Sequence, residues 1–320
     1  MKSKLEMIYK PPIGYSIDRV LIVDSERTVV FLHANTLIGA SVIELLKFGL
    51  PFKKINLSLL KSFDTPVYAK KACTIMGDNL IVFMSSGEIA FLDLDAFEDF
   101  QIFKVAGIHG RGLYGGDIAP THIAYNDFLQ RYIVTLSDGS QVPRYISNLL
   151  ECRALDEKFK VESLVSLPTK EYPKSKYSLL YPELDADGDW VHIRDIFCIG
   201  ENLYVHTLGC SHPRVLGGVY ADFSFVSVFD SNLDFILNYE VEEGLGSASF
   251  SKKYFLVNPR KNNNKIYFYN TEQFFKEYEL SLTPKQNLGC EKNKWIKFDM
   301  IDDVFLLYSA DFLHFCSMSA

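Results

Sequence analysis

The sequence predicts an all-β fold made of one small antiparallel unit repeated six times, and three observations carry that reading. Six short runs rich in β-branched and aromatic residues recur at 29–32, 80–83, 132–134, 203–205, 254–257 and 304–307. With Val30, Ile81, Ile133, Tyr204, Phe255 and Phe305 as markers, the successive steps are 51, 52, 71, 51 and 50 residues. Repeats of this length in a β-rich pattern mark an array of supersecondary units. The third run of a unit also tends to end in Asp or Asn, at Asp93, Asp156, Asp230 and Asn270, whose side chains suit the capping of a turn. Lastly, the chain is 48% hydrophobic with 25 Phe and 18 Tyr, a balance that favours a pleated surface.

In chain order the units span 13–60, 66–105, 118–168, 191–242, 247–282 and 293–320, within a single domain of 320 residues. The first is the least regular, because 41–48 reads as a short helix as readily as a strand. The second shows the plan best: runs at 72–75, 80–84, 89–93 and 100–105 are separated by Gly77-Asp78-Asn79, by Ser85-Ser86-Gly87 and by a polar stretch. Four short strands joined by such turns make an antiparallel meander. A lone sheet of this kind leaves both faces uncovered, and packing several side by side covers them. The last unit is one strand short, with runs at 295–300, 304–308 and 312–317 only. The run at 5–9, ahead of Pro11-Pro12, has no other home. Its pairing as the fourth strand of the last unit would remove an open edge.

On these features the chain resembles the β-propeller superfamily, in architecture and over nearly its whole length. That resemblance implies six four-stranded blades, the N-terminal strand closing the last. No single family is matched. The Gly-His…Trp-Asp pattern of WD repeats is missing, Asp189-Trp190 being one reversed pair, and the Gly115-Gly116 and Gly217-Gly218 doublets do not recur in each unit as in kelch repeats.

Charge and composition bound the function. The net charge is −7 and the pI about 5.6, with no basic stripe, which argues against nucleic acid as partner. The first residues lack the apolar core of a signal peptide, and no stretch has the length of a membrane-spanning helix. A soluble, cytoplasmic protein without a membrane partner is expected. The six cysteines, at 73, 152, 198, 210, 290 and 316, form no Cys-x-x-Cys pair and read as buried reduced thiols.

Four long irregular segments, 106–117, 137–149, 168–190 and 208–222, hold the candidate site. In a four-stranded blade the second-to-third loop and the blade-to-blade loop emerge at one face, so all four are expected on one side of blades two to four, where a rigid scaffold presents binding residues. The first carries His109, Arg111 and Tyr114 among glycines but lacks the Lys-Ser/Thr ending of a phosphate loop. The second carries Arg144 beside Tyr145. The third carries Tyr177 and Tyr181, then Asp185, Asp187, Asp189 and Trp190. The three aspartates are weak candidates for a calcium ion, since no Glu follows at the EF-hand position, and a solvated turn is the plainer reading. The fourth carries His212 and Arg214. A metal held by His122, His206 and His212 lacks any motif spacing, and a nucleophile at Cys210 or Ser211 with His212 is disfavoured because adjacent strand residues point apart.

No catalytic signature emerges, so enzymatic activity is left open with the balance against it. Tyr, Trp and Arg are the side chains enriched in protein interfaces. The leading expectation is a non-enzymatic protein-interaction module without a cofactor, whose partner is another protein, possible finer forms being an inhibitor or immunity-type protein. The alternative is a calcium-dependent hydrolase or lactonase-like enzyme, or a carbohydrate-binding propeller, using Asp117, Asp195 and Asn202 at the central channel.

Overall fold

The computed structural model describes residues 2–34, 42–56, 73–83, 88–96, 100–104, 119–137, 151–155, 161–166, 190–210, 221–241, 248–258, 264–282, 297–301 and 304–319. Every regular element among them is a strand. β1 is Lys2–Tyr9, followed by β2 (Tyr15–Ile22), β3 (Arg27–Ala34), β4 (Val42–Lys47) and β5 (Leu50–Asn56). Next come β6 (Cys73–Met76), β7 (Asn79–Phe83), β8 (Glu88–Asp93) and β9 (Phe100–Lys104). β10 (Ala119–Asn126), β11 (Arg131–Ser137), β12 (Glu151–Leu155) and β13 (Val161–Ser166) form a third group, and β14 (Trp190–Ile199), β15 (Asn202–Cys210), β16 (Ala221–Phe229) and β17 (Phe235–Glu240) a fourth. The remaining strands are β18 (Ala248–Phe250), β19 (Tyr254–Val257), β20 (Lys265–Asn270), β21 (Lys276–Ser281), β22 (Lys297–Ile301), β23 (Val304–Tyr308) and β24 (Leu313–Ser319).

These strands pair into four-stranded sheets in the orders β2-β3-β4-β5, β6-β7-β8-β9, β10-β11-β12-β13, β14-β15-β16-β17, β18-β19-β20-β21 and β1-β24-β23-β22. Repeated small antiparallel meanders of this kind are the β-propeller architecture. β1 does pair with β24, Lys2 opposite Ser319 and Tyr9 opposite Leu313, so the orphan run at the N-terminus finds its place. The helical alternative for 41–48 is not what forms: Val42–Lys47 is a strand with its first five residues buried. Val42, Ile43, Leu45 and Leu46, on either side of Glu44, are apolar on both faces because the strand has a neighbouring sheet on each, which removes the polar face that would have marked it as a strand.

The chain packs as two compact units. One comprises 1–85, 89–102 and 244–320, the other 86–88 and 103–243. In the first, the sheet of β2–β5 is covered twice. Val29, Phe31, Ile43 and Leu45 meet Leu80, Val82, Ala90 and Leu92 of the β6–β9 sheet. Val30, Leu32, Val42 and Leu46 meet Tyr9, Leu306, Tyr308 and Leu313 of the β1/β22–β24 sheet, which in turn packs on β18–β21 through Phe298, Phe305, Leu256 and Phe268. Strict alternation thus distributes one strand between two cores. Each such side chain contributes roughly 1.5–3 kcal/mol by burial. The outer strand β21 is polar by contrast, Lys276–Ser281 burying fully only Leu280.

Turn chemistry recurs as the repeated Asp and Asn suggest. Asp93 Oδ1 accepts the Asp95 and Ala96 N–H groups at 2.7 and 3.0 Å, Asp230 Oδ1 those of Asn232 and Asp234 at 2.8 and 2.9 Å, and Asn270 Oδ1 that of Glu272 at 2.8 Å. These residues close turns. Asp156 lies outside the described residues. Each of the first strands β2, β10 and β14 carries a bulge against its partner, at Ile17/Arg19, Pro120/His122 and Ile193/Asp195.

Candidate functional site

Antiparallel pairing fixes where the long connectors of the second unit begin and end. Ala119, which opens β10, is opposite Ser137, which closes β11, so 105–118 arrives beside the departure of 138–150. At the same end of that sheet Leu136 is opposite Glu151 and Glu151 opposite Ser166, so 138–150 returns beside the departure of 167–189. In the next sheet Trp190 is opposite Cys210 and Cys210 opposite Ala221, which roots the end of 167–189 beside both ends of 211–220. Adjacent strands lie about 4.8 Å apart, so the roots are near neighbours within each sheet. The other ends of these sheets close in the short turns 127–130, 200–201 and 230–234.

Of the residues expected to bind, His109, Arg111, Tyr114, Arg144, Tyr177, Tyr181, His212 and Arg214 lie outside the described residues, as do Asp185, Asp187 and Asp189. Trp190 is placed by its backbone alone, as the first residue of β14.

Among the described residues of the second unit, the polar side chains named above as candidates are His122, His206, Asp195 and Asn202. His206 is fully buried with Nε2 2.9 Å from Ser224 Oγ. Asp195 Oδ1 accepts the Ile196 N–H at 3.1 Å. Asn202, its proposed companion, pairs with Ile199 four positions along from the His206 that faces Asp195. At the strand rise that is about 13 Å, too far for the two to share an ion. Among the described residues no three His, Cys, Asp or Glu come together as a metal site.

Cys73, Cys198 and Cys316 are thiols outside any disulfide. Burial pushes Cys73 up to about 11 and Cys198 up to about 12, the latter despite the opposing effect of Asn126, so both are protonated and unreactive at neutral pH. No helix among the described residues is long and apolar enough to cross a membrane.

Two features of the first unit went unread in the sequence. Arg27 draws three turns together, donating to Asp24 Oδ2 at 2.7 Å and Asp78 Oδ1 at 2.6 Å and lying 3.6 Å from Asp95. Lys53 donates to the Asp95 carbonyl nearby. The other is the β4–β5 hairpin, whose Phe48, Leu50 and Phe52 are exposed. Its signal was present as an apolar run, Phe48-Gly49-Leu50-Pro51-Phe52, set between lysines. No protein-family model matches the chain, and no curated protein is significantly similar to it. The class that remains is the β-propeller, on its architecture alone.

Proposed function

We propose that the chain is a non-enzymatic protein-interaction module: a propeller of six four-stranded blades, the last closed by the N-terminal strand, that offers the long connectors of its second unit to another protein. The observation that supports this reading is the backbone register, which roots 105–118, 138–150, 167–189 and 211–220 at one end of each of their sheets. Those connectors carry Tyr114, Tyr177, Tyr181, Arg111, Arg144 and Arg214, the residue types that dominate interface energetics. A plug for a toxin or enzyme, as in inhibitor or immunity-type proteins, is the finer form of the proposal. Affinity capture from native lysate, with mass spectrometry, identifies the partner. Tyr181→Ala with Arg214→Ala is then expected to cost about 2 kcal/mol or more in affinity while the melting curve stays in place. Full affinity in that double variant, with loss on changing Asp93 or Asp95, would put the binding surface at the short-turn end instead.

A further inference from the structure

We propose that the β4–β5 hairpin of the first unit is a second docking site, for a short acidic segment of a partner protein that carries an aromatic or aliphatic side chain among its carboxylates. Phe48, Leu50 and Phe52 are 62%, 64% and 58% exposed at the hairpin tip. Four non-glycine residues have positive φ among those described: Phe48, Gln130, Leu233 and Phe274. Leu233 and Phe274 bury their side chains, and Gln130 Nε2 donates to the Asp127 carbonyl at 2.6 Å. Phe48 alone, at φ 50°, holds a ring in solvent from a backbone conformation that is costly for a bulky residue. The tip is also held from behind. The Phe48 N–H donates to the Glu26 carbonyl at 2.7 Å, and Gly49 sits tight under Met7 and Phe315. A rigid exposed tip binds without first having to be ordered.

Charge selects the occupant. Lys47, Lys53 and Lys54 flank the apolar run, and 47–54 contains no Asp or Glu in a chain of net charge −7. Lys47 Nζ lies 5.8 and 6.0 Å from the Phe48 and Phe52 ring centres, and Lys53 Nζ 5.5 Å from that of Phe52. Carboxylates of the segment meet these ammonium groups, displacing the exposed Glu26 carboxylate that lies 4.0 Å from Lys47 Nζ, while an apolar side chain meets the rings. Three side chains at this exposure present roughly 300–400 Å². A stable interface buries about 800 Å² on each partner, so a short segment fits and a second copy of the chain does not. A flat anionic bilayer fits less well. Asp24, Glu26, Asp78 and Asp95 are 40–78% exposed in the turns bonded to this hairpin through Arg27 and Lys53, and lipid phosphates would meet them. A narrow peptide on the tip avoids them.

The test is selection of phage-displayed random peptides on the full-length protein, followed by titration of a synthetic peptide of the consensus. A consensus with Asp or Glu around an aromatic or aliphatic residue is expected. Its Kd should weaken at least tenfold in Phe48→Ser/Phe52→Ser and in Lys47→Glu/Lys54→Glu, and remain unchanged in Tyr181→Ala/Arg214→Ala. That last variant separates this site from the connector end. Should the serine variant fail to fold, the charge-reversal pair decides alone. A consensus without acidic residues overturns the proposal. So does binding that survives the charge reversal, a concentration-dependent dimer that the reversal abolishes, or co-sedimentation with phosphatidylserine vesicles that depends on the same lysines.

Discussion

Glu44 shows how one side chain can fasten two sheets. It alternates along β4 with Val42 and Leu46, so it points into the seam shared with the β1/β22–β24 sheet, where it is only 5% exposed. A carboxylate there needs a donor, and Tyr9 Oη supplies one at 2.6 Å. Burial first, then the hydrogen bond and charge of Glu44, hold the Tyr9 phenol well above its ordinary 10.0. The folded state therefore binds this proton more tightly than the unfolded state does. The resulting stability is complete below pH about 10 and is lost as the pH rises above it. Hydrogen bonds to charged groups are worth about 1.5–3 kcal/mol, so Tyr9→Phe should cost about 2 kcal/mol in urea unfolding at neutral pH. The same variant should also show a shallower alkaline decline than the parent protein. It should not be flat, because burial raises Tyr308 as well. Identical midpoints and identical alkaline limbs for the two proteins would remove Glu44 from this role.

At the scale of elements, β1 does two jobs: it completes the β22–β24 sheet by pairing along β24, and through Met7 and Tyr9 it packs on the β2–β5 sheet. Deleting residues 1–10 bares the β24 edge and empties both contacts. The expected cost is several kcal/mol, from a few apolar side chains at roughly 1.5–3 kcal/mol each. Calorimetry of the truncated chain measures it, and an unchanged thermal midpoint would show that β1 adds little. Strand cores such as Tyr254–Val257 were legible because a strand covered on both faces becomes an unbroken apolar run, and the Asp and Asn turn residues because their hydrogen bonds are local. Val42–Lys47 was harder for the same reason inverted: Glu44 interrupts its apolar run, and only the partner Tyr9, 35 residues earlier, explains a carboxylate there. Exposed tips such as Phe48 were passed over because exposure is set by tertiary neighbours, which periodicity does not encode.

At the scale of the molecule, the placing of β1 has a mechanical meaning. Lys2 faces Ser319 across an antiparallel ladder, and any segment attached at either end emerges beside the other. Ladder bonds run across the strands, so tension applied through these two ends loads them one at a time, as in opening a zipper, and not together, as in shear. Peeling starts at Lys2/Ser319, crosses the irregularity between Leu5 and Met7, and reaches Tyr9 opposite Leu313 last. Two anchored residues, Met7 over Gly49 and Tyr9 on Glu44, thus stand at the far end of the ladder from the grip. Single-molecule extension from both ends should record a low-force release of the eight residues of β1 before any larger rupture, and Tyr9→Phe should lower the force at which that release completes. Pulling from one end and from the β6–β7 turn would load the same strand along its length, and should meet much greater resistance.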